Sequence, residues 1–325
     1  MSVLIEAEGL SKSFVSGGWL QARSEVQALR DVSLRVDRGE SLGVVGESGS
    51  GKSTLGRVLL GLLPADAGKV RFDGRALDGA SAQDWREIRR RMQIVYQDPY
   101  GSLDPRRRVG AQIGDGMSIH NIGQAAERPA KVAELLQRVG LDAGQAGRYP
   151  HEFSGGQRQR IGIARALATS PDFLVADEPV SALDVSIQAQ IVQLLSGLRR
   201  ELGLAMLFIS HDLAVVRQIC DRVIVMYLGR VVEEGDIRPI FAAPAHPYTR
   251  ALLSATPRVR VQRRTVRILL SGDPPSPSNP PSGCVFRTRC AHAIDSCAGE
   301  VPVLRDVGDG RRVACLRVEE IFNKG

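Results

Sequence analysis

Apolar positions follow two rhythms along this chain. Val32, Leu34 and Val36 alternate with polar neighbours, the period-two pattern of a strand with one buried face. The run 42–45 is apolar and reads as a strand. Leu55, Val58, Leu59 and Leu62 then recur at helical spacing, with Pro64 marking the helix exit. Residues 3 to about 97 thus alternate strand-like and helix-like stretches. From about 98 to 168 strong strand runs are lacking and Val132, Leu135, Leu136 and Val139 keep a helical period, which predicts an inserted, mostly helical subdomain. Strand signals return at 173–176 and 205–209, separated by a helix carrying Ile187, Ile191, Leu194, Leu195 and Leu198. This order predicts an α/β fold with a mainly parallel sheet and its ligand site at the strands' carboxyl ends.

Beyond Gly235 the alternation stops. Proline and serine dominate 273–282, which reads as an extended linker. The residues after it, with four of the five cysteines, read as a small appended module rather than a continuation of the sheet. The expected organisation is a main domain over 1–235 and an extension over 236–325, consistent with about two domains for 325 residues.

Composition adds exclusions. With 43% hydrophobic and 24% charged residues the chain resembles neither a disordered nor a fibrous protein. The longest apolar runs, such as 204–209 and 223–228, are far short of a membrane span. Glu6, Glu8 and Lys12 interrupt the first twenty residues, so no secretory signal of the usual form is present and a cytoplasmic chain is expected. The net charge of +7 suits several anionic partners. The short arginine clusters at 89–91, 106–108 and between Arg258 and Arg267 read as solvated surface, and no nucleic-acid partner is expected.

The chemistry begins at Gly46-Glu47-Ser48-Gly49-Ser50-Gly51-Lys52-Ser53, with Thr54 next. This is the eight-residue phosphate-loop pattern, placed between the predicted strand and helix. Its glycines let backbone amides curl around phosphate oxygens, the helix amino terminus adds positive potential, Lys52 reaches the outer phosphates and Ser53 can ligate magnesium. The strand at 173–176 ends in Asp177-Glu178, where one carboxylate can hold magnesium and the other face the attacking water. In Phe153-Ser154-Gly155-Gly156-Gln157, Ser154 is a candidate cap and the glycines leave amides exposed at a helix start. A second phosphate-binding surface in a chain with one phosphate loop suggests that two chains meet; a capped helix start is the plainer alternative.

These motifs, in this order, together with Gln97 in Val95-Tyr96-Gln97-Asp98-Pro99, Ser181-Ala182-Leu183-Asp184 and His211, resemble the ATP-hydrolysing subunit of ABC transporters over residues 3 to about 235. The resemblance implies a P-loop NTPase core and a head-to-tail pair of ATPase domains with ATP between the phosphate loop of one and the signature of the other. It implies that Glu178 is the catalytic base, that Gln97 senses magnesium and the permease, that His211 contacts the γ-phosphate, and that Asp184 lines the seam. Ser154, Gly155, Gly156 and Gln157 would meet the partner chain's ATP, and Phe14 occupies the position of an adenine-stacking aromatic or of a core residue. ATP and Mg2+ are the implied ligands, with Ser53, Gln97 and Asp177 around the metal. Phe153 replaces the leucine that commonly opens the signature.

His246-Pro247-Tyr248-Thr249-Arg250-Ala251-Leu252-Leu253, the proline-rich run and the cysteine tail are similar to ATPases of oligopeptide and dipeptide importers. His246 and Tyr248 also suit capping and packing at a helix start. Tyr100-Gly101-Ser102-Leu103-Asp104-Pro105-Arg106 resembles one of the two paired, non-identical ATPases of those systems, which implies a heterodimer, two transmembrane permease subunits and an extracytoplasmic solute-binding protein. The implied place is the cytoplasmic face of a bacterial membrane; nickel or another small solute is the alternative cargo, and a soluble non-transport ABC ATPase or an exporter ATPase is the alternative class. Cys284, Cys290, Cys297 and Cys315 do not fit the short paired spacing of zinc ribbons. The resemblance implies a [4Fe-4S] cluster on them, while zinc and free buried thiols stay open. Cys220 reads as a packed helix residue.

Overall fold

The computed structural model describes residues 2–16, 24–255, 268–270 and 272–322. The spaced arginines from Arg258 to Arg267 lie outside the described residues. The chain divides into two compact units, one built mainly from Val70–Ile209 with the residues up to Glu6 and Arg35–Ser41, the other from Ala7–Leu34, Leu42–Lys69 and the chain from Ser210 onward.

In the first unit the strands Met92–Val95, Phe173–Asp177 and Ala205–Ser210 run parallel, with Val95 opposite Ala176 and Asp177 opposite Ile209. Phe173–Asp177 is buried along its whole length, as a continuous apolar run in the middle of a parallel sheet requires. The helix Ala82–Arg91 precedes this sheet and starts with a capping box in which Ser81 and Asp84 bond each other's backbone N–H groups. It ends at Arg91, which pairs with Asp73 at 2.8 Å and Asp172 at 2.6 Å. The helices Val109–Ile119, Arg128–Arg138 and Gly155–Leu167 pack on one another. Val109, Ile113, Met117, Val132, Leu136 and Ile161 form their buried face.

In the second unit Ser41–Val45 pairs parallel with Arg222–Tyr227, which pairs antiparallel with Arg230–Asp236. The helix Lys52–Leu59 follows the first of these strands and is shorter than its apolar period predicts. Gly61, at φ 62, sits in the left-handed region and closes the helix, leaving Leu62 outside it and 46% exposed. The alternating Val32, Leu34 and Val36 lie on the strand Ser24–Asp37 and are all buried. Cys220, expected inside a helix, is the buried residue that ends the helix Leu213–Ile219.

The tail corrects one expectation. Residues 273–282 hold no helix or strand. The chain after them, however, returns to the sheet: Arg312–Val313 pairs antiparallel with Arg230–Asp236, and Arg305–Asp306 pairs with Arg312–Val313. Two-residue strands carry too little periodicity to be read from sequence. Val313, Val318 and Ala245 close a small apolar core there. Glu233, fully buried and opposite Val313, accepts from the backbone N–H groups of Ala245 at 2.8 Å and His246 at 3.0 Å, ahead of the helix Pro247–Ala255.

His246 Nδ1 accepts from the N–H of Tyr248 at 3.1 Å, so the ring caps that helix. Burial pushes its pKa from 6.5 down to about 3. The unfolded chain therefore takes up a proton below about pH 6.5 that the folded chain refuses, and stability falls as pH drops through that window. Burial raises the pKa of Glu233, whose contribution has the opposite sign because it is retained at low pH and lost as pH rises. Comparison with His246→Asn, whose Oδ1 can replace the Nδ1 acceptor, isolates the imidazole. The urea midpoint of the variant should depend less steeply on pH between about 6.5 and 4; equal slopes would exclude a buried neutral His246.

Candidate nucleotide site

The phosphate loop leaves the buried strand Ser41–Val45 and enters the helix Lys52–Leu59, as its motif requires. Two glycines allow its path. Gly51 is left-handed at φ 100, and a Cβ there would stand 2.2 Å from the Ala28 carbonyl oxygen. A Cβ at Gly46 would stand 2.2 Å from the carbonyl oxygen of Met226. Gly51 is also the N-cap, and no side-chain hydrogen bond caps the helix start. The helix therefore begins with main-chain donors directed at the loop, the arrangement that attracts phosphate. Lys52 is 4% exposed, and its Nζ donates to the carbonyl oxygens of Gly46 at 2.8 Å and Glu47 at 2.9 Å. The ammonium is thereby held over the loop rather than in solvent. Ser50 is buried, its Oγ lies 3.5 Å from that Nζ, and its N–H donates to the Glu47 carbonyl at 3.2 Å.

Phe14, on the strand Val3–Ser16, is 41% exposed, which removes the reading of it as a core residue. Lys12 lies over its ring at 5.8 Å and pairs with Asp66 at 2.7 Å. His211 follows Ser210 directly and is exposed; its neighbour Asp212 caps the next helix through Ala214 N–H at 2.7 Å.

The other motif residues belong to the first unit. Asp177 is buried at the carboxyl end of its strand, and Glu178 follows it with φ 46, a left-handed conformation that is costly for a residue with a Cβ. The conformation is held by hydrogen bonds on both sides, since the Glu178 N–H donates to the Ile209 carbonyl at 3.0 Å while its own carbonyl accepts from Ser181 N–H at 3.3 Å and Oγ at 3.1 Å. The parallel register of Val95 with Ala176 brings the following loops together, so that Gln97 Nε2 donates to Glu178 Oε2 at 3.4 Å. Gln159, which sequence reasoning did not single out, donates to the Tyr96 carbonyl at 3.3 Å and steadies that loop from the signature helix.

Ser154 caps the helix Gly155–Leu167 as expected: its Oγ accepts from Gln157 N–H at 3.3 Å and Gln157 Oε1 accepts from Ser154 N–H at 3.0 Å. Ser154 is exposed, with Gly155 and Gly156 half-buried behind it. Asp184 is the N-cap residue of Val185–Leu202 but its side chain makes no cap bond, and the carboxylate is exposed.

The sequence also gave no sign of a link from the loop to the C-terminal extension. Glu47 N–H donates to Tyr248 Oη at 2.8 Å, and Glu47 Oε2 accepts from Arg289 Nη1 at 2.7 Å. These partners are 201 and 242 residues away in sequence, beyond the reach of any local pattern.

Cys297 is buried and Cys284, Cys290 and Cys315 are half-buried. Burial, reinforced by the neighbouring sulfurs, pushes Cys284 up to about 11 and raises Cys290 and Cys315. Backbone N–H groups two residues on donate to three of the sulfurs, from Phe286 to Cys284, from His292 to Cys290 at 3.4 Å and from Arg317 to Cys315. Donors of this kind favour thiolates. The four sulfurs are neighbours, and among the described residues no three His, Cys, Asp or Glu side chains are grouped to hold an ion. No described helix is long and apolar enough to cross a membrane.

Comparison with known proteins bears on all of this. The ABC transporter family matches residues 29–181, and the family described as oligopeptide/dipeptide transporter, C-terminal region, matches residues 232–297. The chain is 55% identical to a Brucella ovis ATP-binding protein named for peptide import, over 97% of this chain and 98% of that one. It is 50% identical to the oligopeptide transport ATP-binding protein OppF of Haemophilus influenzae over 90% of this chain and 89% of the relative. Among solved structures, a dimeric ATP-binding cassette in a post-hydrolysis state bound to ADP and Pi superposes with a TM-score of 0.65 at 30% identity, covering 72% of this chain and 99% of that one. A strand–loop–helix built for phosphate, with relatives matching almost end to end, leaves one conclusion: the chain belongs to the ATP-binding proteins of ABC transporters, in the branch that carries the oligopeptide/dipeptide C-terminal region.

Proposed function

We propose that this chain hydrolyses ATP to drive import of dipeptides or oligopeptides across the bacterial cytoplasmic membrane. The observation that carries the reading is the joint match of an ATPase core and a peptide-transporter C-terminal region in one chain, with relatives named for peptide import.

Lys52 and the amides from Gly46 to Ser53 and Thr54 bind the phosphates, and Phe14 stacks on the adenine. Buried Asp177 and the oxygens of Ser53 and Gln97 are hard donors suited to Mg2+, which when bound neutralises charge on the phosphates. Glu178 takes the proton of the attacking water while Gln97, bonded to it in this structure, fixes its carboxylate. His211 contacts the γ-phosphate. Ser154, Gly155, Gly156 and Gln157 meet the ATP of the partner chain, with Asp184 on the seam, so turnover needs two chains. The partner is a second, non-identical ATPase, and the pair works on two permease subunits and an extracytoplasmic binding protein at the cytoplasmic face. Differential contact of the closed pair with one permease state is what converts ATP binding into transport. Cys284, Cys290, Cys297 and Cys315 would be the ligands of a [4Fe-4S] cluster, an electron-transfer or structural group whose thiolates the backbone donors at Cys284, Cys290 and Cys315 would favour.

Anaerobic affinity purification of the chain from native membranes, with mass spectrometry and iron analysis, tests this. Recovery of a second ATPase, two permeases and a solute-binding protein is expected, with iron and acid-labile sulfide in the preparation. Ribosomal or DNA-associated proteins without permeases would overturn the transport reading while leaving the ATPase assignment, and a homodimer on the permeases would overturn the paired arrangement.

A further inference from the structure

Glu47 is the second residue of the phosphate loop, yet both its polar ends are taken by the C-terminal extension. Its N–H donates to Tyr248 Oη and its carboxylate accepts from Arg289. Neither partner is a surface group. Tyr248 is fully buried, and the Arg289 side chain is 8% exposed against 26% for Glu47. Tyr227, Tyr248 and Phe286 pack ring on ring at 4.7 to 5.3 Å beside them, and Tyr227 Oη lies 3.4 Å from the same Arg289 nitrogen. A buried, hydrogen-bonded ion pair of this kind costs little while intact and much when one partner is withdrawn.

Arg289 is also the residue before Cys290, in the short turn that begins at Cys284. Arg289 N–H donates to the Phe286 carbonyl at 3.0 Å, Cys290 N–H to Arg287 at 3.4 Å, and Cys284 N–H to the Cys297 carbonyl at 2.8 Å. The guanidinium therefore leaves a turn whose two ends are cysteines. Any change that moves those cysteines, whether oxidation or the gain or loss of a bound group, moves the base from which Arg289 reaches the loop.

We infer that Tyr248 and Arg289 are positioning residues that hold the phosphate loop through Glu47, and that ATP affinity thereby responds to the state of the turn between Cys284 and Cys290. This rests on Gly46 to Ser53 being the ATP loop, a point settled first by binding of ATP to the unaltered chain. The contact offers a route by which the cysteine module regulates the ATPase without touching nucleotide.

The test measures ATP affinity of the full chain by calorimetry, and kcat and KM in the assembled complex, for Arg289→Met, Glu47→Gln and Cys290→Ser, singly and combined. Arg289→Met and Glu47→Gln should each weaken ATP binding by about tenfold, raise KM more than they lower kcat, and combine with no further loss. Cys290→Ser should shift ATP affinity in the unaltered chain and not in the Arg289→Met background. Should Arg289→Met fail to fold, Glu47→Gln reads the same link from the half-exposed loop side. Unchanged affinity in Glu47→Gln, or a Cys290→Ser effect that adds in full to that of Arg289→Met, would overturn the inference. No ATP binding by the unaltered chain would instead remove the nucleotide reading itself.

Discussion

Glu178→Gln should reduce kcat of the assembled transporter by roughly 10²- to 10⁴-fold, the range expected when a general base is removed, while ATP binding persists. The substitution preserves shape and deletes only the proton acceptor. The local geometry supports a small structural effect: the left-handed backbone at Glu178 is fixed by main-chain bonds to Ile209 and Ser181 that do not involve its carboxylate. The Gln97 contact is made by the carboxylate, and an amide can keep it through its carbonyl oxygen. Binding and turnover should therefore separate, with trapped ATP and a chain pair that lingers closed. The measurements are single-turnover hydrolysis and ATP calorimetry on the same preparation. Near-normal turnover would remove Glu178 from the role of base, and lost binding would mean that the carboxylate serves the loop instead.

Strain strengthens that expectation. A non-glycine residue at φ 46 is disfavoured by about 1 to 2 kcal/mol, and such residues persist where the surroundings over-determine them. Here the next strand edge and the Ser181 turn do so, which fixes the direction of the carboxylate before substrate arrives. Glu178→Gly would relieve the strain and lose the acceptor together, so Gln is the cleaner probe.

The parts of the fold that could be read from sequence are those set by local pattern. The run 42–45, the helix from Lys52, the strand ending at Asp177 and the helical insertion each follow from apolar spacing and turn residues. The strand–loop–helix around Gly46 to Ser53 was legible because phosphate chemistry demands particular residue types in one short segment. What escaped is non-local. The two-residue strands that return the tail to Arg230–Asp236 have no period to detect. Glu233 looks like a solvated strand residue until Ala245 and His246 are folded against it. Glu47 has no assigned role in the loop pattern, and only the tertiary fold joins it to Tyr248 and Arg289. Leu62 shows the converse error, an apolar residue in helical register whose helix a left-handed Gly61 had already ended.

Lys52→Ala should strike binding itself and weaken ATP affinity by about 10- to 100-fold, the equivalent of one charge-assisted hydrogen bond worth roughly 1.5 to 3 kcal/mol. Lys52 is almost fully buried, with its ammonium drawn to the Gly46 and Glu47 carbonyls. A cation placed there would meet the outer phosphates at little further desolvation cost, because burial has already removed most of its water. Truncation deletes that charge and removes one donor from each of the Gly46 and Glu47 carbonyls, of which Glu47 keeps the Ser50 N–H. The loop itself should survive, since Gly46 and Gly51 set its path by close approach to the Met226 and Ala28 carbonyls and not through the lysine. Calorimetry should therefore show a weaker ATP complex in a chain that still melts cooperatively. Unchanged affinity would show that the loop amides alone hold the phosphates, and a collapsed melt would show that Lys52 is a structural post of the loop before it is a ligand.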